Sequence, residues 1–194
     1  MPKFLLALCV LLLTTEPAGR PTDVGGWNGA KWGMTVTQVK SAIRYPIERD
    51  SKLDSTSDVQ SWIIPQIIKV GSTPLRVSFE FHDNKLTDID LGLEDDDLPR
   101  SLAFDDLKQA LIEKYGRPSD ESRTEAPDPF PAVKHKVLWT FPSTSITLNF
   151  TEFGEGNETK VIFVNYRPVD KGASSSPNLS GSPDKPELTR PHLD

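Results

Sequence analysis

Cysteine is almost missing from this chain: the 194 residues contain a single one, Cys9. It sits inside an apolar run near the N-terminus that reads as a leader, so the processed protein would carry none. A disulfide framework, a cysteine zinc site and thiolate catalysis are thereby excluded, and the fold must hold through its core alone. Histidine is nearly as scarce, with His82, His135 and His192 only. None lies at a spacing that supports a metal ligand pair. His82 beside Asp83 reads as turn chemistry, and His135 as part of a loop between two lysines. There is no G-x-S-x-G and no glycine-rich phosphate loop, so neither a serine hydrolase nor a nucleotide site is signalled.

Basic charge is also in deficit. Lys and Arg number 22 against 28 Asp and Glu, giving a net charge of −6. A phosphate-neutralising surface needs the opposite balance, which argues against nucleic acid as a partner. Long apolar runs are confined to Phe4–Leu13, too short for a membrane-spanning helix of roughly 20 residues. With Lys3 before it and Ala18 and Gly19 after it, that run reads as a signal peptide over residues 1–19. Leu8 stands before Cys9 where cysteine lipidation needs a small residue, so Cys9 belongs to the leader. The chain is therefore expected to be exported, periplasmic or secreted, with no transmembrane segment once processed. Residues 168–194 are rich in Pro, Ser and Gly and read as a disordered tail.

Between these ends lies the length of one ordinary domain or two very small ones. Its most patterned stretch is KWGMTVTQVKSAI, residues 31–43. Thr35 and Gln38 have the spacing of a capping box, and Met34 and Val39 that of a hydrophobic staple. Val36, Val39 and Ile43 then share one helix face. A weaker copy follows in LAFDDLKQALIEKYGRP, residues 102–118. Here Leu107, Leu111 and Tyr115 form the stripe, Asp105 and Asp106 suit the positive helix end, and Gly116 with Pro118 stops it.

Strand-like segments follow each helix. After the first come VQSWIIPQIIKV, LRVSFEF and LTDIDLGL; after the second come KVLWTF, ITLNF and KVIFVNY. Leu75, Val77, Phe79 and Phe81 alternate with Arg76, Ser78 and Glu80, the mark of a half-buried strand. Trp62 and Trp139 take similar places in the two sets. The expected fold is α+β: two α-β-β-β repeats, residues 23–98 and 99–167, forming an antiparallel sheet of about six strands with two helices packed on one face. Trp27 and Trp32, flanking the first helix start, are expected to close the core rather than anchor a partner.

The segment GMTVTQV resembles the G-M-T-x-x-Q-V helix start of small exported bacterial envelope proteins, and FHDNKLTDI their strand–turn–strand. The small lipoprotein subunits of the outer-membrane assembly machinery and the beta-lactamase-inhibitor proteins are of this kind. This chain has neither the lipidation cysteine of the former nor the cysteine pairs of the latter. The resemblance implies an envelope protein that works by binding another protein, and it brings no catalytic residues.

Two further features have plain explanations. The acidic run Glu94–Asp97 lacks calcium-loop spacing and reads as a solvated strand end. Asn149, Asn157 and Asn178 each begin an N-x-[ST] triplet by chance. The expected function is an exported, non-enzymatic protein-binding module of the bacterial envelope, without cofactor, metal or catalytic residues. Its binding surface would be the sheet face lined by Arg76, Ser78, Glu80, Thr147 and Asn149. The alternative is a small-ligand or metal-binding periplasmic carrier, with its ligand between sheet and helices.

Overall fold

A computed structural model describes residues 22–51, 58–94, 98–126, 131–154 and 159–169. The expected leader, the expected tail from residue 170 onward, Cys9, His192, Asn157 and Asn178 lie outside these residues, while Pro168, the first residue of the expected tail, ends the last strand. The described chain opens with a small hairpin, β1 (Gly26–Trp27) and β2 (Ala30–Lys31), and a short helix, α1 (Val36–Ala42). There follow β3 (Glu48–Arg49), β4 (Val59–Ile63), β5 (Ile68–Val70), β6 (Thr73–His82) and β7 (Lys85–Leu93). A second helix, α2 (Arg100–Tyr115), leads into β8 (Asp120–Ala126), β9 (Ala132–Thr140), β10 (Thr144–Phe153) and β11 (Thr159–Pro168).

The large sheet runs β3-β4-β6-β7-β11-β10-β9-β8, with β5 also paired to β6. Alternation in the sequence sets its two faces. Leu75, Val77, Phe79 and Phe81 of β6, and Ile146 and Leu148 of β10, point into the core and are fully buried. At about 1.5–3 kcal/mol per large side chain removed from water, these rows fix the register. The β6–β7 hairpin turns through Asp83 and Asn84 at φ of 50° and 57°. Two left-handed residues in succession match the twist of the strands they join. Strand β7 then meets β11 through the pairs Ile89–Tyr166 to Gly92–Phe163, so the strand sets following the two helices join at their last members.

Both helices contribute to one buried cluster. It contains Val39 and Ile43 from the α1 segment, Phe104, Leu107, Leu111 and Tyr115 from α2, and Trp27, Phe79, Trp139 and Tyr166. The capping box at α1 is complete: Thr35 N–H donates to Gln38 Oε1 at 2.8 Å, and Gln38 N–H to Thr35 Oγ1 at 3.3 Å. Trp27 packs edge-on against Phe79, with ring centroids 6.1 Å apart. Trp32 is half-buried and donates its indole N–H to Thr144 at 2.7 Å. The residues around the first helix start are thus occupied with packing and capping.

The expected fold class is corrected in its architecture. Instead of about six strands under two helices, the protein is mostly β, with nine strands in one antiparallel sheet and two in a separate hairpin. Three physical reasons account for the difference. The run VQSWIIPQIIKV is broken at Pro65, so β4 and β5 pair with different parts of the same edge of β6, as a residue without an N–H requires. Strand β8, DESRTEA, has no apolar alternation because the side chains of residues 120–125 are exposed at a sheet edge. Strand β3 is only two residues long. The helices are also unequal, α1 having 7 residues and α2 having 16.

Two local expectations change as well. His135 is not in a loop but in β9, with its ring packed against Phe104 and Phe150 at 5.9 and 5.7 Å. Asp106 does not serve the α2 start, which is capped by Pro99 without a side-chain hydrogen bond. Its carboxylate instead accepts from Ser72 N–H, Thr73 N–H and Thr73 Oγ1, tying α2 to the β5–β6 turn. Burial opposes the charge of Asp106, but the hydrogen bonds from Thr73 and Ser72 outweigh it and hold the carboxyl below its ordinary value.

Candidate functional site

The sheet face opposite the core cluster is built by the residues that alternate with the buried ones. On β6 these are Arg76, Ser78 and Glu80, all half-buried. Cross-strand pairing carries their rows over the neighbouring strands. One row runs Arg76, Gly92, Phe163, Asn149, Lys136. The next runs Ser78, Asp90, Asn165, Thr147, Leu138. Glu80 pairs with Asp88 on β7 and with Ser61 on β4, and the register of β6 with β7 shifts between Glu80 and Phe81. A bulge of this kind re-aims side chains locally.

Polar groups on this face are linked into a chain. Asn149 donates to Asn165 at 3.0 Å, and Asn165 donates in turn to the carboxylate of Asp90. Arg76 binds Glu94 through both guanidinium donors, its Nε lying 2.8 Å from Oε2. Arg167 Nε lies 2.7 Å from Asp88. Glu80 and Asp90 form no ion pair among the described residues.

Both of those carboxyls are raised above their ordinary range. For Glu80 the causes are burial and then the negative charges of Asp90 and Asp88, with Arg167 opposing them. For Asp90 burial again leads. The Asn165 hydrogen bond counteracts it, Asp88 adds to it and Arg167 opposes it.

A shallow hollow of about 480 Å³ lies in the middle of this surface, lined by Arg76, Ser78, Asp90, Gly92, Leu93, Glu94, Phe163 and Asn165. It exists because Gly92 has no side chain in a position where neighbouring strands present Arg76 and Phe163. A second hollow of about 280 Å³ lies past the C-terminus of α2, with Tyr115, Trp139 and Phe141 among its lining residues.

The residues expected at the binding surface fall into two groups. Arg76, Ser78 and Glu80 are adjacent on β6, whereas Thr147 and Asn149 stand on β10, with β7 and β11 between them. Those intervening strands supply Asp88, Asp90, Gly92, Phe163, Asn165 and Arg167, which sequence reasoning did not single out. The alternation in LTDIDLGL and KVIFVNY puts these residues on the polar side. What it lacks is any sign that β7 and β11 are neighbours.

The other candidates have structural tasks or stand exposed. His82 Nδ1 and Asp83 lie 3.3 Å apart at an exposed hairpin tip. Glu94 is taken up by Arg76, while residues 95–97 of the acidic run fall outside the described chain. Among the described residues, no group of three or more His, Cys, Asp or Glu is placed to hold a metal ion. Nor is any helix among them long and apolar enough to cross a membrane. No family model matches the chain, and neither curated proteins nor solved structures give a significant match.

Proposed function

We propose that the chain is an exported, non-enzymatic protein-binding module of the bacterial cell envelope, and that the open sheet face is its binding surface. The observation that carries this reading is the face itself. Four central strands present Arg76, Ser78, Glu80, Asp88, Asp90, Phe163, Asn165, Thr147 and Asn149 on a single surface. Its hollow is shallow and open, which suits a partner's protruding side chains better than enclosure of a whole small molecule. Export rests on Lys3 and the apolar run behind it.

The test is partner capture from a native envelope fraction, using the full chain as bait. Arg76→Glu and Glu80→Lys each reverse a charge on the face without touching the core, and each should sharply reduce partner recovery. Unchanged recovery in both would show that the face has been wrongly assigned.

A second reading, a small-ligand carrier, draws support from the volume of the hollow alone, which lies within the range of ligand sites. Its ligand would sit on the sheet surface, since the space between sheet and helices is filled by the buried cluster. A rise in melting temperature with one class of small ligand, in the absence of protein partners, would favour it.

A further inference from the structure

Gly92 is the gap around which the open face is arranged. Its backbone is not left-handed, and a Cβ placed on it would meet nothing within 4 Å. A valine would fit there and suit a strand better, so neither turn geometry nor close packing accounts for the glycine. Its effect is to leave a floor without a side chain beside the half-buried ring of Phe163.

Charge around this floor is unbalanced. Asp88 and Glu94 are matched by Arg167 and Arg76, but Asp90, which lines the hollow, and Glu80 beyond it have no cationic partner among the described residues. Both carboxyls are also pushed toward protonation, first by burial and then by neighbouring carboxylates (Asp90 and Asp88 for Glu80, Asp88 for Asp90), with Arg167 opposing the shift in each. At the β4 end of the same row, Ser61 stands opposite Glu80. It is 6% exposed, and its hydroxyl has no hydrogen-bond partner. Two successive rows therefore hold two carboxylates without an ion pair and an unused hydroxyl, next to a slot floored by Gly92 and Phe163.

A slot with Phe163 and Leu93 among its lining residues, ending in carboxylates that have no ion pair among the described residues, is complementary to a long side chain with a cationic tip. Such a chain lays its methylenes on apolar surface and carries its charge to a polar end. We infer that the hollow over Gly92 receives a lysine or arginine side chain of the protein partner, its stem against Phe163 and its charged head at Asp90 and Glu80. The inference rests on the protein-binding reading of this face and specifies the chemistry of the contact.

The test uses the 15N-labelled full chain, titrated separately with penta-lysine, penta-glutamate and a neutral Gly-Ser pentapeptide while amide shifts are followed. Penta-lysine should produce saturable shifts at Asp90, Gly92, Phe163 and Asn165, weakened by added salt; the other two peptides should not. Gly92→Val, which fills the slot, and Asp90→Asn, which removes charge but keeps an oxygen for Asn165, should each weaken the response by about tenfold. Should Gly92→Val fail to fold, Asp90→Asn still decides the matter.

Equal shifts with the neutral or acidic peptide, no shift with penta-lysine, or a response unchanged by Asp90→Asn would overturn the inference. If partner capture depends on Arg76 and Glu80 while penta-lysine leaves the spectrum untouched, only the cationic contact is lost. If capture ignores both charge reversals, the protein-binding reading of the face fails, and this inference goes with it.

Discussion

Asp106 offers the sharpest quantitative test of the fold. One carboxylate oxygen, Oδ2, accepts three hydrogen bonds: from Ser72 N–H at 2.9 Å, Thr73 N–H at 3.0 Å and Thr73 Oγ1 at 2.6 Å. Thr73 is fully buried, so removing the acceptor strands polar groups that water cannot reach. A buried group left unsatisfied costs about 1–3 kcal/mol. Counting the exposed Ser72 donor as nothing, Asp106→Ala should destabilise by about 2–4 kcal/mol. Asp106→Asn is more discriminating. An amide oxygen at the same place keeps the acceptor and loses only the assistance of the charge, about 1 kcal/mol.

The pH dependence follows from the direction of the shift. The folded carboxyl lies below the unfolded value, about 3.9 for aspartate. Its extra stability is therefore fully present above that value and is lost as pH falls through the lower folded pKa. Urea unfolding followed by fluorescence of Trp27, Trp32, Trp62 and Trp139 would measure this at neutral pH and again in acid. The gap between wild type and Asp106→Asn should hold down to about pH 4 and close below it. A cost under about half a kcal/mol for Asp106→Ala, or equal costs for the two substitutions, would refute the account of one charged oxygen fastening α2 to the β5–β6 turn.

Two further outcomes are expected from the same structure. Gly71 lies at φ +62°, and a Cβ there would stand 2.7 Å from Asp106 Oδ2, so Gly71→Ala should cost about 1–3 kcal/mol in urea unfolding. Part of that cost should vanish in the double variant with Asp106→Ala, which clears the obstruction; strict additivity would mean the clash is not the cause. Glu80→Gln should raise the melting temperature at neutral pH, because the folded carboxyl is held above its unfolded value and its charge is a burden there. That advantage should shrink on acidification toward the ordinary glutamate value of about 4.3, and a lowered melting temperature at neutral pH would contradict it.

Sequence pattern revealed those parts of the molecule whose physics is local. Thr35 and Gln38 are three residues apart, so their mutual capping is written in a short string, as is the period-two burial of Leu75, Val77, Phe79 and Phe81. Strand β8 escaped because an edge strand with both faces wet has no reason to alternate, and DESRTEA reads as loop. Lys108 of α2 pairs with Glu121 of this strand at 2.6 Å, a contact between residues with no periodic relation. His135 was misplaced for a related reason. Flanked by Lys134 and Lys136, it looks solvated, yet alternation alone turns its ring inward onto Phe104 and Phe150 while the lysines face out.

The open face was legible by halves. Arg76, Ser78 and Glu80 follow from one strand, and Thr147 and Asn149 from another, but only the β7–β11 junction makes them parts of a single surface. That junction also brings Asp90 to Asn165 and Asp88 to Arg167, residues about seventy-five to eighty positions apart in the chain.

Folding by itself gives this surface no reason to be as it is. Threonine at positions 80 and 90 and valine at 92 would strengthen a solvated sheet face, and the present residues instead crowd like charges and leave a gap. Places where a sequence works against its own fold are where a second requirement is met. Here the burden lies in two carboxylates and one missing side chain within three successive rows. Other partly buried acidic residues are matched: Asp106 by the β5–β6 turn, Glu94 by Arg76, Asp88 by Arg167. Glu80 and Asp90 differ from these in being partly buried without an ion pair among the described residues. The burden is localised on the sheet face that no helix covers among the described residues, and a cation brought by another molecule is what would relieve it.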